Sequence, residues 1–378
     1  MEIKILSSFS EVNCQQWNAL LIENNPFVRY EFLNALEVNA CADAKFGWIP
    51  RHIAIFENNE LIAACLLYEK HNTYGEFVFD HAWSEAYQRN GLAYFPKLVS
   101  CIPFNPIQGQ RFLCAPGREG ELFPSLLNTI QEIAQKYQYS SFHCLFSSDV
   151  EQDWFQEQGL LSRHDCQFHW FNDKYQSFDD FLSKLSSRKR KNIRKERERV
   201  KQAGVTFRIL NGSTATDKDW QDFTRFYLKT FEDKWGMATL NENFFKQVAR
   251  DLPEQIVLVL ADKGDKCIAG ALMYRSDTNL YGRFWGCDTE VEYLHFEACY
   301  YQGIDYCIEH GLKKFEPGAQ GEHKIARGFV PTLTRSSHWL SAPYFQQAIL
   351  QFTEHEKSAV KNYMDNLHQH LPYKSAKS

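Results

Sequence analysis

The chain has 378 residues, of which 44% are hydrophobic and 24% charged. This length exceeds the size at which one hydrophobic core usually stops growing, and the composition excludes disordered and fibrous proteins. The chain start shows no secretory signal pattern, and no apolar run reaches the length of a membrane span. Eleven cysteines without Cys-x-x-Cys spacing indicate free thiols in a reducing compartment. We therefore expect two domains in a cytoplasmic protein.

A hairpin is the first clear element of the chain. Apolar residues 53–56 and 61–68 predict two strands joined by a polar turn, and residues 74–77 predict a third strand. Apolar residues at helical spacing then predict a helix over 122–137, which leads into a strand over 141–146.

The net charge of −5 conceals a strongly basic segment in the middle of the chain. From residue 186 to 201, nine basic residues stand against Glu196 and Glu198, which leaves a net charge of +7. The basic residues are Arg188, Lys189, Arg190, Lys191, Arg194, Lys195, Arg197, Arg199 and Lys201. Strong helix formers after residue 187 predict a helix that ends near Gly204.

The second half repeats the pattern of the first. Residues 257–260 and 267–274 form the matching hairpin, 281–284 begin the third strand, 294–310 form the helix, and 314–316 form the strand that follows it. Both hairpins end on Ile-Ala-small-x-Leu-x-Tyr, and both third strands open with Tyr-Gly-x-Phe. Repetition at this level of detail indicates a duplicated structural unit.

Each unit is predicted to have the same α/β architecture, with α+β mixed sheets. An antiparallel meander followed by a helix and a crossover strand predicts a mixed sheet with helices on its faces. This is the element order of the GNAT (N-acetyltransferase) fold. We predict tandem GNAT-like domains at 1–175 and 205–345, a basic helical connector at 176–204, and a C-terminal helix and tail at 346–378.

Five segments spread over nearly the whole chain carry a family resemblance. They are 282–287 (Gly-Arg-Phe-Trp-Gly-Cys), 294–302, 315–324 (ending Gly-Ala-Gln-Gly-Glu-His-Lys), 81–83 (His-Ala-Trp) and 103–106 (Pro-Phe-Asn-Pro). On these segments the chain resembles a FemAB-like bacterial family of predicted N-acyltransferases. The resemblance implies tandem GNAT-like domains, as in the Fem ligases that add amino acids from aminoacyl-tRNA to peptidoglycan precursors.

The turn after the last short strand is the strongest candidate for a catalytic site. A strand that ends in Glu316 and runs into Pro317 and Gly318 cannot continue as a regular ladder. In the GNAT architecture neighbouring strands splay apart at this place, so polar side chains there face a cleft.

Acyl transfer to an amine needs a base for the amine proton and donors for the oxyanion. Glu316 or His323 is the predicted base, and Gln320 is the predicted oxyanion donor together with backbone N–H groups. Lys324 and Arg327 are predicted to bind phosphate or carboxylate. The alternative is that residues 323–327 form the solvated face of a short helix.

Four further residues of the second half are predicted to bind substrate. Arg283 and Trp285 share one face of their strand, where the arginine is a candidate anion ligand; the alternative is a structural arginine in a cation–π contact or an ion pair. Glu297 and Tyr301 are four residues apart on a helix and therefore share one face. Core packing is the alternative for the tyrosine.

His81 and Trp83 of the first half are predicted to line the acceptor side. The segment 88–93 matches the GNAT formula Gln/Arg-x-x-Gly-x-Gly/Ala, with a surface turn as the alternative. In the second half the equivalent loop, 287–293, has no glycine and three acidic residues, which would repel a pyrophosphate.

The donor is therefore predicted to be either acyl-CoA or an aminoacyl-tRNA, without a metal. The basic helix from Arg188 to Lys201 is a candidate tRNA contact because clustered cations gain affinity for phosphates by counterion release. A solvated, internally paired helix is the alternative. We predict an acyltransferase that acts on an amine acceptor, with a tRNA-dependent Fem-type ligase and a non-catalytic peptide or nucleic-acid binding module as alternatives.

Overall fold

Strands and helices alternate along the chain in a computed structural model that describes residues 1–233 and 236–374. Within these residues the strands are β1 (Glu2–Leu6), β2 (Trp48–Pro50), β3 (His52–Glu57), β4 (Glu60–Cys65), β5 (Tyr68–Lys70), β6 (Lys97–Ser100), β7 (Phe112–Cys114), β8 (Ser141–Leu145), β9 (Leu161–Phe171), β10 (Val205–Leu210), β11 (Ile256–Lys263), β12 (Lys266–Arg275), β13 (Asn279–Cys287), β14 (Lys314–Glu316) and β15 (Val330–Leu340).

The α-helices of the same residues are α1 (Cys14–Asn18), α2 (Tyr30–Val38), α3 (His81–Arg89), α4 (Glu119–Lys136), α5 (Asp149–Glu157), α6 (Phe178–Lys184), α7 (Ser187–Gln202), α8 (Asp217–Glu232), α9 (Glu242–Asp251), α10 (Leu294–Phe296), α11 (Gln302–Glu309) and α12 (Pro343–His368). Between α10 and α11 the helix continues as a π-helical turn, Glu297–Tyr301, and a 3-10 helix covers Glu322–Arg327. None of the described helices combines the length and apolar character needed to cross a membrane.

The chain folds into two compact units, and each takes in the end of a strand from the other half of the sequence. Unit 1 comprises Met1–Asp165 and Leu333–Asn362, and unit 2 comprises Cys166–Thr332 and Tyr363–Ser378. Residues 336–340 of β15 belong to unit 1 because they pair with β8, and Trp170 and Phe171 of β9 belong to unit 2 because they pair with β14. These limits differ from the predicted sequential segments 1–175 and 205–345.

The basic segment 176–204 is part of unit 2 and contributes to its core. Phe181 and Leu182 of α6 and Ile193 and Val200 of α7 are buried. Seven residues separate Ile193 from Val200, so the two lie on one face of α7, and the charged residues occupy the remaining surface.

Unit 1 contains a four-stranded antiparallel sheet in the order β1-β3-β4-β7. Strands β8, β6, β5 and β2 follow one another in a second sheet, in which β6 and β8 run parallel. The long helix α4 buries Leu126 and Ile130 in a core shared with Ile53 and Phe142. The hairpin, the helix and β8 were all predicted from apolar spacing.

The predicted third strand of unit 1, residues 74–77, is wrong. Gly75 has a φ of 81° and Phe77 a φ of 61°, and this left-handed backbone cannot lie in a ladder. Glu76 between them is buried, and its carboxylate lies 2.7 Å from Lys97 Nζ. The analogy with the second half therefore fails where this loop closes over a buried lysine.

Unit 2 contains strands β10, β11, β12, β13 and β14 in that order, with the end of β9 beside β14. Neighbouring strands are antiparallel except β13 and β14, which are parallel. The helical segment between β13 and β14 is the crossover, and it buries Ala298 and Ile304 against Leu280 and Phe315. This meander, helix and parallel strand follow the predicted order.

Candidate functional site

The end of β14 is the place where the sheet of unit 2 opens. The parallel pairing of β13 with β14 stops at Tyr281 and Glu316, whereas β13 continues to Cys287. A Cβ atom on Gly282 would lie 3.2 Å from the Cα atom of Pro317, so the two segments approach closely before they part. Gly318 follows with a φ of 100°, a conformation that favours glycine.

Glu316 is a buried carboxylate at this opening. It is 1% exposed, and neither carboxylate oxygen accepts a hydrogen bond from any described residue. Lys314 Nζ lies 2.6 Å from Oε1, outside hydrogen-bond geometry. His169, on the neighbouring strand β9, is also buried, and burial lowers its pKa to about 4 although the charge of Glu316 acts to raise it. Sequence reasoning missed His169 because it lies in the other half of the chain.

Lys324 brings a second unusual charge to this region. Its side chain is 2% exposed, and its Nζ donates a hydrogen bond to Gly318 O at 2.7 Å. Burial, together with the nearby positive charge of Arg283, lowers the pKa of Lys324 to about 7. Burial also lowers the pKa of Arg283, to about 10, while the charge of Glu316 acts to raise it. Buried ionisable groups with displaced pKa values are typical of functional sites.

The 3-10 helix after β14 presents the other predicted catalytic residues. His323 exchanges a hydrogen bond with the hydroxyl of Tyr300 at 2.9 Å, and burial lowers its pKa, so the ring is neutral at pH 7. Gly321 has a φ of 114°, and a Cβ atom there would lie 2.5 Å from the His323 ring. Gln320 is exposed on the turn between β14 and the 3-10 helix. Trp285 lies on β13, half-buried.

Arg327 and Tyr301 meet at Glu196, which sequence reasoning left among the solvated residues of the basic helix. Arg327 Nη2 donates to Glu196 Oε1 at 2.8 Å, and Arg327 Nε donates to Oε2 at 3.2 Å. The Tyr301 hydroxyl also donates to Glu196 Oε2. Arg327 Nη1 donates to His323 O at 2.8 Å. These bonds fix α7 to the helices beside the turn, and the guanidinium predicted to bind an anion is engaged within the protein.

Glu297 begins the π-helical turn and is held by two donors. Its Oε1 accepts from Arg197 Nη2 at 3.0 Å and from Gln302 Nε2 at 2.7 Å. Arg197 also bonds to Asp305 Oδ2 at 2.7 Å. Burial raises the pKa of Glu297 and of Asp305. The predicted pair Glu297 and Tyr301 thus contacts α7 through two separate ionic groups.

The two predicted residues of the first half lie in unit 1, on α3. His81 is exposed, and Trp83 is buried, with its ring centroid 5.0 Å from that of His338. The segment 88–93 contains the last two residues of α3 and the turn after it. A helix C-terminus presents carbonyl groups, so this segment lacks the N–H groups that would hold a pyrophosphate.

The three acidic residues of the loop 287–293 in unit 2 have different surroundings. Asp288 is paired with Arg225, whose Nε lies 2.9 Å from Oδ2, whereas Glu290 and Glu292 are exposed. Tyr293 precedes α10 with a φ of 67°. The geometry offers no glycine-lined cradle for phosphate in this loop.

Most cations of α7 make no salt bridge within the described part of the chain. Arg194 pairs with Asp179 at 2.7 Å, and Arg197 pairs with Glu297 and Asp305. The remaining seven are Arg188, Lys189, Arg190, Lys191, Lys195, Arg199 and Lys201. Pairing within the helix therefore does not account for its positive charge.

Metal-ligating side chains come close together in unit 1. Among the residues that the structure describes, Glu76, Asp80 and His143 have ligand atoms within 4.8 Å of one another. Lys97 Nζ lies 2.7 Å from Glu76 Oε2 and 2.5 Å from Asp80 Oδ2, and all three side chains are buried. The Lys97 ammonium contacts both carboxylates directly, so we interpret the group as an ion cluster.

The fold and this arrangement define a tandem GNAT-like protein. FemX matches with a TM-score of 0.54 and 13% identity over 93% of this chain and 100% of that chain. The C-terminal domain of a protein assigned as a lysylphosphatidylglycerol synthetase from Agrobacterium fabrum matches with a TM-score of 0.55 and 9% identity, over 92% of this chain and 96% of the other. A protein of unknown function from Bacteroides thetaiotaomicron matches with a TM-score of 0.51 and 10% identity, over 89% and 99% of the two chains. The predicted fold is confirmed.

The family is settled by the sequence. A family model for FemAB-like proteins, described as acting in peptidoglycan biosynthesis or recognition, matches residues 8–375. The chain therefore belongs to the FemAB-like family, as the resemblance implied. No curated protein sequence shows a significant match to it.

Proposed function

We propose that the protein transfers an aminoacyl or acyl group to an amine acceptor, with the chemistry in unit 2 at the turn after β14. The observation that carries this proposal is the buried carboxylate of Glu316, which Lys314 Nζ approaches to 2.6 Å, in the same buried region as Lys324, whose pKa is about 7. A lysine with this pKa exchanges a proton near neutral pH, as a general base must.

The transfer has simple proton requirements. The nitrogen of a neutral amine attacks the carbonyl carbon of the donor, so that an N–C bond forms and a tetrahedral oxyanion develops. Neutral Lys324 accepts the amine proton, and the carboxylate of Glu316 stabilises the ammonium that results. The bond to the leaving oxygen or sulfur then breaks, and the leaving atom takes up the proton.

The other predicted residues surround this reaction. Gln320 and backbone N–H groups of the turn donate to the oxyanion, as predicted. His323 is neutral at pH 7 and lies on the exposed side of the turn, where it orients the acceptor. Arg283 and Lys314 place positive charge beside the carboxylate of Glu316. Binding of substrate at the turn requires the segment 317–321 to open.

We propose aminoacyl-tRNA as the donor and an amine of a peptidoglycan precursor as the acceptor. Seven cations of α7 without salt bridges favour a polyanionic donor, and the acidic loop 287–293 disfavours the pyrophosphate of coenzyme A. The family description supports the acceptor class. The free state of all eleven cysteines fits a cytoplasmic reaction, where such donors and precursors are made.

A thermal-unfolding screen separates the donors, because a ligand that binds only the folded chain raises the unfolding midpoint. We expect stabilisation by aminoacyl-tRNA at low salt, its loss at high salt, and none by acetyl-CoA. The variant R188E/K189E/R190E/K191E should lose the effect. A control with four reversals elsewhere, K4E/K45E/K136E/K361E, should keep it. Stabilisation by acetyl-CoA alone would reject the tRNA donor.

A further inference from the structure

Unit 2 contains a cavity that none of the residues around Glu316 lines. It has a volume of about 780 Å³ and lies between α6, α7, β10 and the π-helical turn. Leu182, Val205 and Phe207 form an apolar wall, and the Phe178 ring covers one side. A cavity of this size and character is typical of a small-molecule site.

The polar end of this cavity is Glu297, the first residue of the π-helical turn. Its side chain is 4% exposed, and its Oε1 is engaged by Arg197 and Gln302. Its Oε2 is buried and has no hydrogen-bond partner among residues 1–233 and 236–374. Buried carboxylate oxygens are almost always hydrogen-bonded, so this atom is a position for a ligand donor. A π-helical turn is a frequent feature of functional sites.

The charge around Glu297 favours a cation. One guanidinium, Arg197, is shared by two carboxylates, those of Glu297 and Asp305, at 3.0 and 2.7 Å. With both carboxylates ionised, the three groups together carry one uncompensated negative charge. Of the other charged residues that line the cavity, Asp179 and Arg194 pair at 2.7 Å, and Glu198 and Lys201 contribute one charge of each sign. The excess negative charge therefore lies in the lining of a cavity that also has an apolar wall.

We propose that this cavity binds a primary ammonium group carried on an aliphatic stem. The ammonium donates a hydrogen bond to Glu297 Oε2, and the stem packs against Leu182, Val205 and Phe207. Charge-assisted hydrogen bonds to carboxylate are strong, and burial of the stem adds affinity with each methylene. The inference goes beyond the proposed reaction, because it concerns a cavity formed by other residues and holds whatever the donor is.

The probe is n-hexylamine, titrated into the full chain by calorimetry. Its comparison ligands are 1-hexanol, which is neutral, and hexanoate, which is negatively charged, both with a chain of the same length. We expect hexylamine to bind more tightly than either, and affinity to rise about three- to fourfold for each methylene from propylamine to hexylamine. Equal binding by hexanol would overturn the role of the charge, and equal binding by hexanoate would overturn its sign. Failure of hexylamine to bind at all would overturn the site.

Two variants place the binding in this cavity. Glu297→Gln keeps an oxygen for Arg197 and Gln302 but removes the charge, and we expect hexylamine to bind at least about tenfold more weakly. Glu254→Gln removes an exposed carboxylate that does not line the cavity and should bind as the unmodified chain does. Val205→Phe fills the apolar end and should weaken hexylamine more than propylamine. Unchanged binding by either Glu297→Gln or Val205→Phe, in a chain whose unfolding midpoint is retained, would overturn the assignment. Hexylamine binding and transfer activity are measured in separate assays, so the failure of one proposal does not decide the other.

Discussion

Arg327 and Glu196 form an ion pair in which Nη2 lies 2.8 Å from Oε1, across 131 residues of sequence. The side chains are only 9% and 14% exposed. The pair joins the 3-10 helix after β14 to α7, and Tyr301 donates to the same carboxylate. The basic helix and the proposed catalytic turn therefore share one carboxylate.

Removal of this carboxylate should destabilise unit 2. Glu196→Ala leaves Arg327 buried without its partner, and loss of one member of a buried ion pair typically costs about 3–5 kcal/mol. We expect a fall of that order in the free energy of unfolding, measured in urea. Asp179→Ala, at the exposed pair with Arg194, should cost less than about 1 kcal/mol. Similar losses in the two variants would show that Glu196 contributes no more than a surface charge.

The ion cluster of unit 1 should be similarly sensitive to the loss of one member. Lys97 is fully buried between Glu76 and Asp80, so Lys97→Met leaves two carboxylates without their cation. We expect a loss of about 3–5 kcal/mol in the free energy of unfolding. The triple variant K97M/E76Q/D80N also removes both carboxylate charges, and it should recover a large part of the lost free energy of unfolding. If the triple variant is no more stable than Lys97→Met, the cost arises from packing and the cluster is not held by charge.

The repeated elements could be predicted because their signals are local. The hairpins, α4 and the helix after β13 all show apolar spacing that the sequence carries directly. The strand at 74–77 failed because its conformation depends on Lys97, twenty residues away. At the candidate site, Glu316, Lys324 and His323 were identified from the resemblance and the broken strand.

Residues that reach the site from distant sequence were missed. His169 comes with β9, which joins unit 2 through pairing that no local pattern shows. Glu196 did leave a signal: it lies three residues after Ile193 and four before Val200, on the buried face of a basic helix. An acid at such a position indicates a buried partner, and that partner is Arg327.

Buried histidines should make the fold sensitive to acid. Burial lowers the pKa of His143 and of His338 well below the usual value, and His338 lies in a region with Asp80, Lys97 and Arg163. In the unfolded chain the pKa of these rings is about 6.5. Because the unfolded chain then binds more protons, stability is complete above that pH and decreases below it, by up to about 1.4 kcal/mol per pH unit for each ring.

The test compares urea unfolding at pH 8 and at pH 5.5 in His338→Gln, in His81→Gln and in the unmodified chain. His338→Gln should lose less stability on acidification than the unmodified chain, whatever its stability at pH 8. His81 is exposed, so its replacement should leave the pH dependence unchanged. Equal pH dependence in all three would mean that His338 is not neutral in the folded chain.

The proton acceptor of the proposed transfer can be identified from the pH dependence of the rate. If Lys324 is the base, kcat/KM should rise about tenfold per pH unit below a pH of about 7 and level off above it, because only the neutral amine accepts a proton. Lys324→Met should lower the rate by about 10²–10⁴-fold and abolish this limb. Lys313 is an exposed lysine near β14, and Lys313→Met should leave the rate and its pH dependence unchanged.

Two further variants separate the residues predicted from the sequence. Glu316→Gln should lower the rate, because the buried region around Lys324 then loses the negative charge that the proposed reaction uses to stabilise the ammonium. His323→Asn should change KM more than kcat and leave the limb in place. Persistence of the limb in Lys324→Met, together with its loss in His323→Asn, would assign the base to His323. Full activity in both Glu316→Gln and Lys324→Met would remove the chemistry from this turn and favour a binding function for unit 2.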